Sequence, residues 1–166
     1  MVSKNGIMLL SAGPMADGTI PQEQVDAMQG IGAWMSRYGE AIYGTRPFVA
    51  YGQGPTQIRQ RPHDGWNEFD ALKGGLDELH EHDIRYTRKG DVVYVIQLGW
   101  DDQESQRVLK VFAQEAKGIK MQSVSVLGSQ EIIQWHRGKQ GLVVHQPQTK
   151  PAEADAALVY KIQLWP

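Results

Sequence analysis

Hydrophobic positions change their rhythm once along this chain, near residue 46, and the change separates two kinds of structure. Before it, Asn5-Gly6 precedes the apolar run Ile7-Met8-Leu9-Leu10. Such a run is too short for a membrane span and predicts a strand buried on both faces. Ser11-Ala12-Gly13-Pro14 ends it. Asp17-Gly18-Thr19-Ile20-Pro21 supplies a turn, with Thr19 as a helix cap, Gln22 three residues on, and Pro21 suited to a first helical turn. Val25, Met28, Ile31, Gly32, Met35, Tyr38 and Ile42 then recur at spacings of three and four, predicting a helix with one apolar, close-packed face. A lone strand-helix unit cannot close a parallel sheet, so residues 1–46 read as the end of something larger.

From Pro47 onward, short alternating runs mark an antiparallel all-β domain over residues 47–166. Phe48 to Tyr51 is a first strand or a lead-in to one. Gly52 to Arg61, rich in Gly, Gln, Pro and Arg, reads as a loop. Trp66, Phe69, Leu72, Leu76 and Leu79 stand at near-helical intervals, but Gly74-Gly75 would weaken a helix by about 1 kcal/mol per glycine. A long loop with room for one short helix is expected there. Ile84 to Thr87 and Val92 to Leu98, flanking Lys89-Gly90-Asp91, predict a hairpin. Arg107 to Ala113, Met121 to Leu127, Ile132 to Arg137, Gly141 to Gln146 and Ala157 to Leu164 complete the strands. The expected fold is mainly β: an antiparallel two-layer β-sandwich preceded by one strand-helix unit.

The block NGIMLLSAGPMADGTIPQEQ, followed by IGAWMSRYGEAIYGTRP, resembles the last strand and helix of the catalytic barrel of glycoside hydrolase family 29 α-L-fucosidases. Asp83-Ile84-Arg85-Tyr86-Thr87, Lys89-Gly90-Asp91, Leu98-Gly99-Trp100, Val126-Leu127-Gly128-Ser129 and Gly141-Leu142-Val143-Val144 resemble the C-terminal β-sandwich of the same enzymes. Ser11 stands where that family usually has Asn, and Asp101 where a proline is common. The resemblance implies a terminal β-α unit of a truncated (β/α)8 barrel over 1–46 and a C-terminal sandwich over 47–166. It also implies that Met1 is an internal or engineered start. The family's retaining mechanism uses an aspartate nucleophile and a carboxylic acid/base about 5–5.5 Å apart. In the family both precede the strand matching Asn5 onward, so no catalytic residue is expected here. Trp100-Asp101 matches a different segment, and Asp101 reads as a solvated turn carboxylate.

Composition narrows the partners. A formal net charge of -2 leaves no basic field for nucleic acid or an anionic membrane surface, and neither is expected. The sequence has no cysteine, which excludes disulfides and thiolate metal sites without fixing a compartment. Met1-Val2-Ser3-Lys4 does not open a signal peptide, whereas the resembled enzymes include exported ones. Localisation therefore stays open.

Ser11 and Asp17 would lie at the C-terminal mouth of a barrel, the face that carries active sites. The competing reading is a plain strand-to-helix turn, and Glu40 and Tyr43 likewise read as helix termination and packing. His80-Glu81-His82-Asp83 invites a metal, but the sequence shows no third ligand, and neither a metal nor a cofactor is expected. His136 and His145 are expected to face each other across adjacent strands. Trp66 and Trp100 border loops and are the sugar-stacking candidates, with fucosylated glycans as the partner. Trp34, Trp135 and Trp165 read as packing residues. Exposing Ile7 to Leu10 would forgo about 6–12 kcal/mol of burial. The strand is therefore expected to fold back onto the sandwich or helix, or to form a homo-oligomer by pairing with another copy. An autonomous carbohydrate-binding module, or a new hydrolase built in an oligomer from Ser11, Asp17 or His80 and His82, are the alternatives.

Overall fold

The computed structural model describes residues 1–56, 79–113 and 118–166 of the chain. After a 3-10 turn at Val2–Lys4 and an irregular stretch, helix α1 runs over Gln22–Tyr38 and tightens into a second 3-10 turn at Gly39–Ala41. The strands that follow are β1 (Arg46–Gln53), β2 (Ile84–Lys89), β3 (Val92–Gln97), β4 (Gln106–Leu109), β5 (Met121–Val126), β6 (Trp135–Arg137), β7 (Leu142–His145) and β8 (Leu158–Leu164). They pair antiparallel into a five-stranded sheet, β1-β2-β3-β8-β5, and a three-stranded sheet, β4-β7-β6. The β2-β3 hairpin closes at Lys89↔Val92 around Gly90, whose φ of 58° only glycine adopts without cost.

The sandwich core follows from alternation. Ile84 and Tyr86 on β2, Val93 and Val95 on β3, and Leu158, Tyr160 and Ile162 on β8 meet Leu109, Leu142 and Val144 of the smaller sheet. Phe48, Tyr86 and Phe112 close one part of it, with Phe48 stacked on Phe112 at 5.7 Å between ring centroids. The intervening residues Tyr94, Ile96 and Val159 point to the opposite face and form a second cluster with Tyr38 and Ala41. The central strands β3 and β8 are thus covered on both sides, which explains the unbroken apolar run Val92 to Ile96. Only the C-terminal end of α1 makes this contact. Trp34 Nε1 donates to Ala157 O at 3.0 Å, the Tyr38 hydroxyl donates to Ala152 O, and Thr87 Oγ1 donates to Ala41 O at 2.6 Å. Glu40 accepts from Tyr94 Oη and Lys161 Nζ, so the glutamate after the helix is a packing residue.

Three expectations fail at the N-terminus. Residues 7–10 form no strand, and they do not fold back: Ile7 is 93% exposed and Leu9 96%. The physical reason is that a doubly buried strand needs neighbours on both edges, and no described strand stands beside it. The apolar face of α1 is not close-packed along its length, because Met28 and Ile31 are exposed and Tyr38, at its C-terminal end, is its buried residue. Thr19 does not cap α1; its amide and hydroxyl both donate to Asp17 Oδ1, and Pro21 occupies the cap position without a side-chain bond. No described helix is long and apolar enough to cross a membrane.

Candidate functional site

Three loops converge at one end of the sandwich: residues 98–105 after β3, residues 127–134 between β5 and β6, and residues 146–148 after β7. They enclose a groove of about 590 Å³ lined by residues that include Trp100, Asp102, Gln103, Glu131, Ile132, His145 and Gln148. Trp100 is half-buried against the core, and its indole N–H donates to Asp102 Oδ1 at 2.9 Å. Lys150 Nζ lies 5.8 Å from the ring centroid and is itself paired with Asp155. Ile132 is 96% exposed because Ile133 fills the inward position and alternation turns its neighbour outward.

The walls are tied to one another by carboxylates. Glu131 accepts the backbone N–H groups of Gln148 at 2.7 Å and Thr149 at 2.8 Å, one on each oxygen. These bonds hold its carboxyl below the usual carboxylate range. Gln146 Nε2 donates to Asp101 O at 2.8 Å and links the third loop to the first.

Asp101 corrects the reading of a solvated turn carboxylate. It is 4% exposed, its Oδ1 accepts from the amides of Gln103 and Glu104, and its Oδ2 pairs with Arg107 Nη2. Burial alone would raise its pKa; the two amides and Arg107 outweigh burial and keep it ionised below the usual range. Arg107 is also buried, bonded to the carbonyls of Glu104 and Gln106 and paired with the Glu104 carboxylate at 3.2 Å.

The histidine expectations are revised as well. His80 and His82 do converge, edge to face at 5.3 Å, and His82 Nδ1 lies 3.7 Å from Asp101 Oδ2 and 3.8 Å from Glu104 Oε2. The structure thus brings in third ligands that the sequence did not show, as His80-Glu81-His82 and as His82-Asp101-Glu104. Asp101 and Glu104 already face the Arg107 guanidinium, which supplies the positive charge a metal would bring. His136 and His145 do not oppose each other: His136 pairs with Val143, and His145 with Gln106.

The other candidates are not brought together with this groove. Ser11 and Asp17 are exposed in the irregular N-terminal stretch, and Asp17 is engaged by its own turn through Thr19, which holds its carboxyl below the ordinary range. Trp66 lies outside the described residues. Glu131, Ile132 and Gln148 were missed as groove residues. The outward position of Ile132 could have been found from the Ile132-Ile133 doublet, but the convergence of three loops depends on sheet order.

Comparison with known proteins places this geometry. The family model described as Alpha-L-fucosidase C-terminal domain matches residues 77–164, and that described as Alpha-L-fucosidase matches residues 1–40. Tissue alpha-L-fucosidase of Bos taurus is 27% identical over 165 residues, covering 98% of this chain and 28% of the relative. The Dictyostelium discoideum alpha-L-fucosidase is 47% identical over 47 residues, covering 28% of this chain and 10% of that protein. The structure of Thermotoga maritima alpha-fucosidase in complex with fucose aligns with a TM-score of 0.67 at 27% identity, over 97% of this chain and 31% of that one. The chain therefore spans less than a third of the length of these relatives. With the C-terminal domain model covering more than half of its residues, the chain belongs to the α-L-fucosidase family.

Proposed function

We propose that this chain serves an α-L-fucosidase as a non-catalytic accessory part, docking through its N-terminal apolar surface onto the portion that hydrolyses α-L-fucosides and contributing no catalytic carboxylate pair itself. The observation that carries the reading is where the exposed apolar residues lie. Ile7, Met8, Leu9, Leu10, Met15, Ile20, Met28 and Ile31 are exposed within residues 1–40, the stretch matched by the Alpha-L-fucosidase family model, whereas the exposed large hydrophobics beyond it, Tyr43, Val49, Tyr51, Val108, Ile132 and Trp165, are scattered along the described chain. A concentration of exposed apolar residues in one segment of the chain favours an interface there. Ile7 and Leu9 are almost fully exposed and Met8 and Leu10 about half, so burying the four would recover about 4–9 kcal/mol, comparable to the net stability of a domain.

A second reading rests on the same segment. Among the described residues, 7–10 take part in no strand pairing and have exposed side chains, which favours pairing with the same residues of another copy. One experiment separates the two. The chain is coexpressed with a relative such as the Thermotoga maritima enzyme lacking the segment that this chain matches. Recovered complex and α-L-fucosidase activity, both lost with Ile7→Asp plus Leu9→Asp, support docking. A homodimer broken by the same substitutions, without complementation, supports self-pairing. A monomer that complements nothing refutes both.

A further inference from the structure

We propose that the groove at the end of the sandwich is a binding site for a neutral sugar, with the Trp100 ring as its platform and Ile132 as its apolar wall. The proposal is independent of the docking surface. The groove is built from residues 100–148 within the C-terminal domain match, whereas docking uses residues 1–40.

The groove's volume, about 590 Å³, falls within the range of small-molecule sites, about 300–1,000 Å³. Its lining combines the Trp100 indole and the isoleucines Ile132 and Ile133 with carboxylate, amide and imidazole groups, including Asp102, Gln103, His145 and Gln148. A sugar matches that mixture because its ring faces present C–H groups while its edge presents hydroxyls that donate and accept. A purely apolar ligand would leave these polar groups desolvated and unpaired.

The site is also fixed before any ligand arrives. Trp100 is held by packing on the core and by its N–H bond to Asp102. Glu131 ties two of the walls through two backbone amides, and Gln146 ties the third loop to the first. Fixed walls reduce the ordering cost of binding. Ile132, by contrast, has no part in the core and stands 96% exposed, which leaves its side chain free to meet a ligand.

Charge selects among sugars. Asp102 is an exposed and Glu131 a half-buried carboxylate on the groove, and the charge of Asp101 is already neutralised by Arg107. The net field is negative, so a sugar carrying a carboxylate is disfavoured relative to a neutral one.

The test follows the Trp100 indole N–H by nitrogen-15 NMR of the whole chain during titration with lactose, 2′-fucosyllactose and 3′-sialyllactose. The proposal predicts a saturable shift at Trp100 and at the Ile132 amide with a neutral probe, and at least several-fold weaker binding of the sialylated one. Ile132→Asp, which disturbs no core contact, is expected to weaken binding by about tenfold or more. Trp100→Ala should do the same, whereas Trp165→Ala, an exposed tryptophan elsewhere, should leave it unchanged. The proposal is overturned if no probe gives a saturable shift, if the shift survives in Ile132→Asp, or if the sialylated probe binds most tightly.

Discussion

Replacing Asp101 by Asn isolates the pair that anchors the loop carrying Trp100. An exposed ion pair would lose only about 0–1 kcal/mol on such a change. Here the side chains of Asp101 and Arg107 are 3% and 5% exposed, so the substitution leaves a buried guanidinium facing a neutral amide. Breaking a buried pair from one side costs about 3–5 kcal/mol. Arg107 keeps two carbonyl partners and the Glu104 carboxylate at 3.2 Å, which places the expected loss near the lower end, at about 3 kcal/mol. Asn can still accept the amides of Gln103 and Glu104, so the turn itself should persist. For a chain of this length the loss corresponds to a fall of about 6–12 °C in Tm. Urea denaturation followed by tryptophan fluorescence should show a lower midpoint with an unchanged slope. Arg107→Met alone should also destabilise, and Asp101→Asn combined with Arg107→Met should cost less than the two added together, because no charge is then left unpaired. A loss below about 1 kcal/mol for Asp101→Asn, or strict additivity, would refute the buried-pair account.

Acid should act through the same carboxyls. Asp101 and Glu131 are both held below their ordinary range, so their contribution is fully present above that range and is lost as pH falls through their lower folded values. Thermal melts in mild acid should accordingly fall more steeply for the native chain than for Glu131→Gln. At the alkaline end, burial first and then the Glu40 carboxylate push Tyr94 up to about 12. The neutral phenol therefore stabilises the fold at pH below the ordinary tyrosine value and stops doing so as pH rises through about 12; phenolate absorbance should show Glu40→Gln shifting this ionisation downward. Tyr38→Phe removes the hydroxyl bond to Ala152 and should cost about 1 kcal/mol, with faster amide exchange confined to the end of α1. Gly128 has φ of 77° and lies under Tyr38, where an added Cβ would meet the hydroxyl oxygen at 3.3 Å; Gly128→Ala should cost about 1–2 kcal/mol in a denaturant titration.

The sandwich was legible because its strands carry a period of two that tertiary contacts reinforce. The Lys89-Gly90-Asp91 turn named its hairpin, and Val92 to Ile96 showed by its unbroken apolar character that β3 is covered on both faces. The same rule misled at Ile7 to Leu10, since an apolar run reports what a segment needs and not whether a strand stands beside it, and none of the described strands does. Thr19 failed as a cap because Asp17, two residues away, offers a stronger local acceptor. At the groove, Trp100 was visible as a loop-bordering aromatic. Its companions were not, because Glu131 and Gln148 are joined by sheet order and by bonds to backbone amides, which leave no mark in residue spacing. Asp101 was misjudged for the same reason: its partner Arg107 is six residues away, a separation that no turn rule connects.

The most direct measurement of the accessory reading is hydrolysis of an aryl α-L-fucoside by the purified chain alone, with a panel of aryl esters as the control for unrelated hydrolases. The account predicts no fucoside turnover above buffer. Fucoside turnover that survives repurification would contradict it and would require carboxylates of this chain to assemble into a catalytic pair.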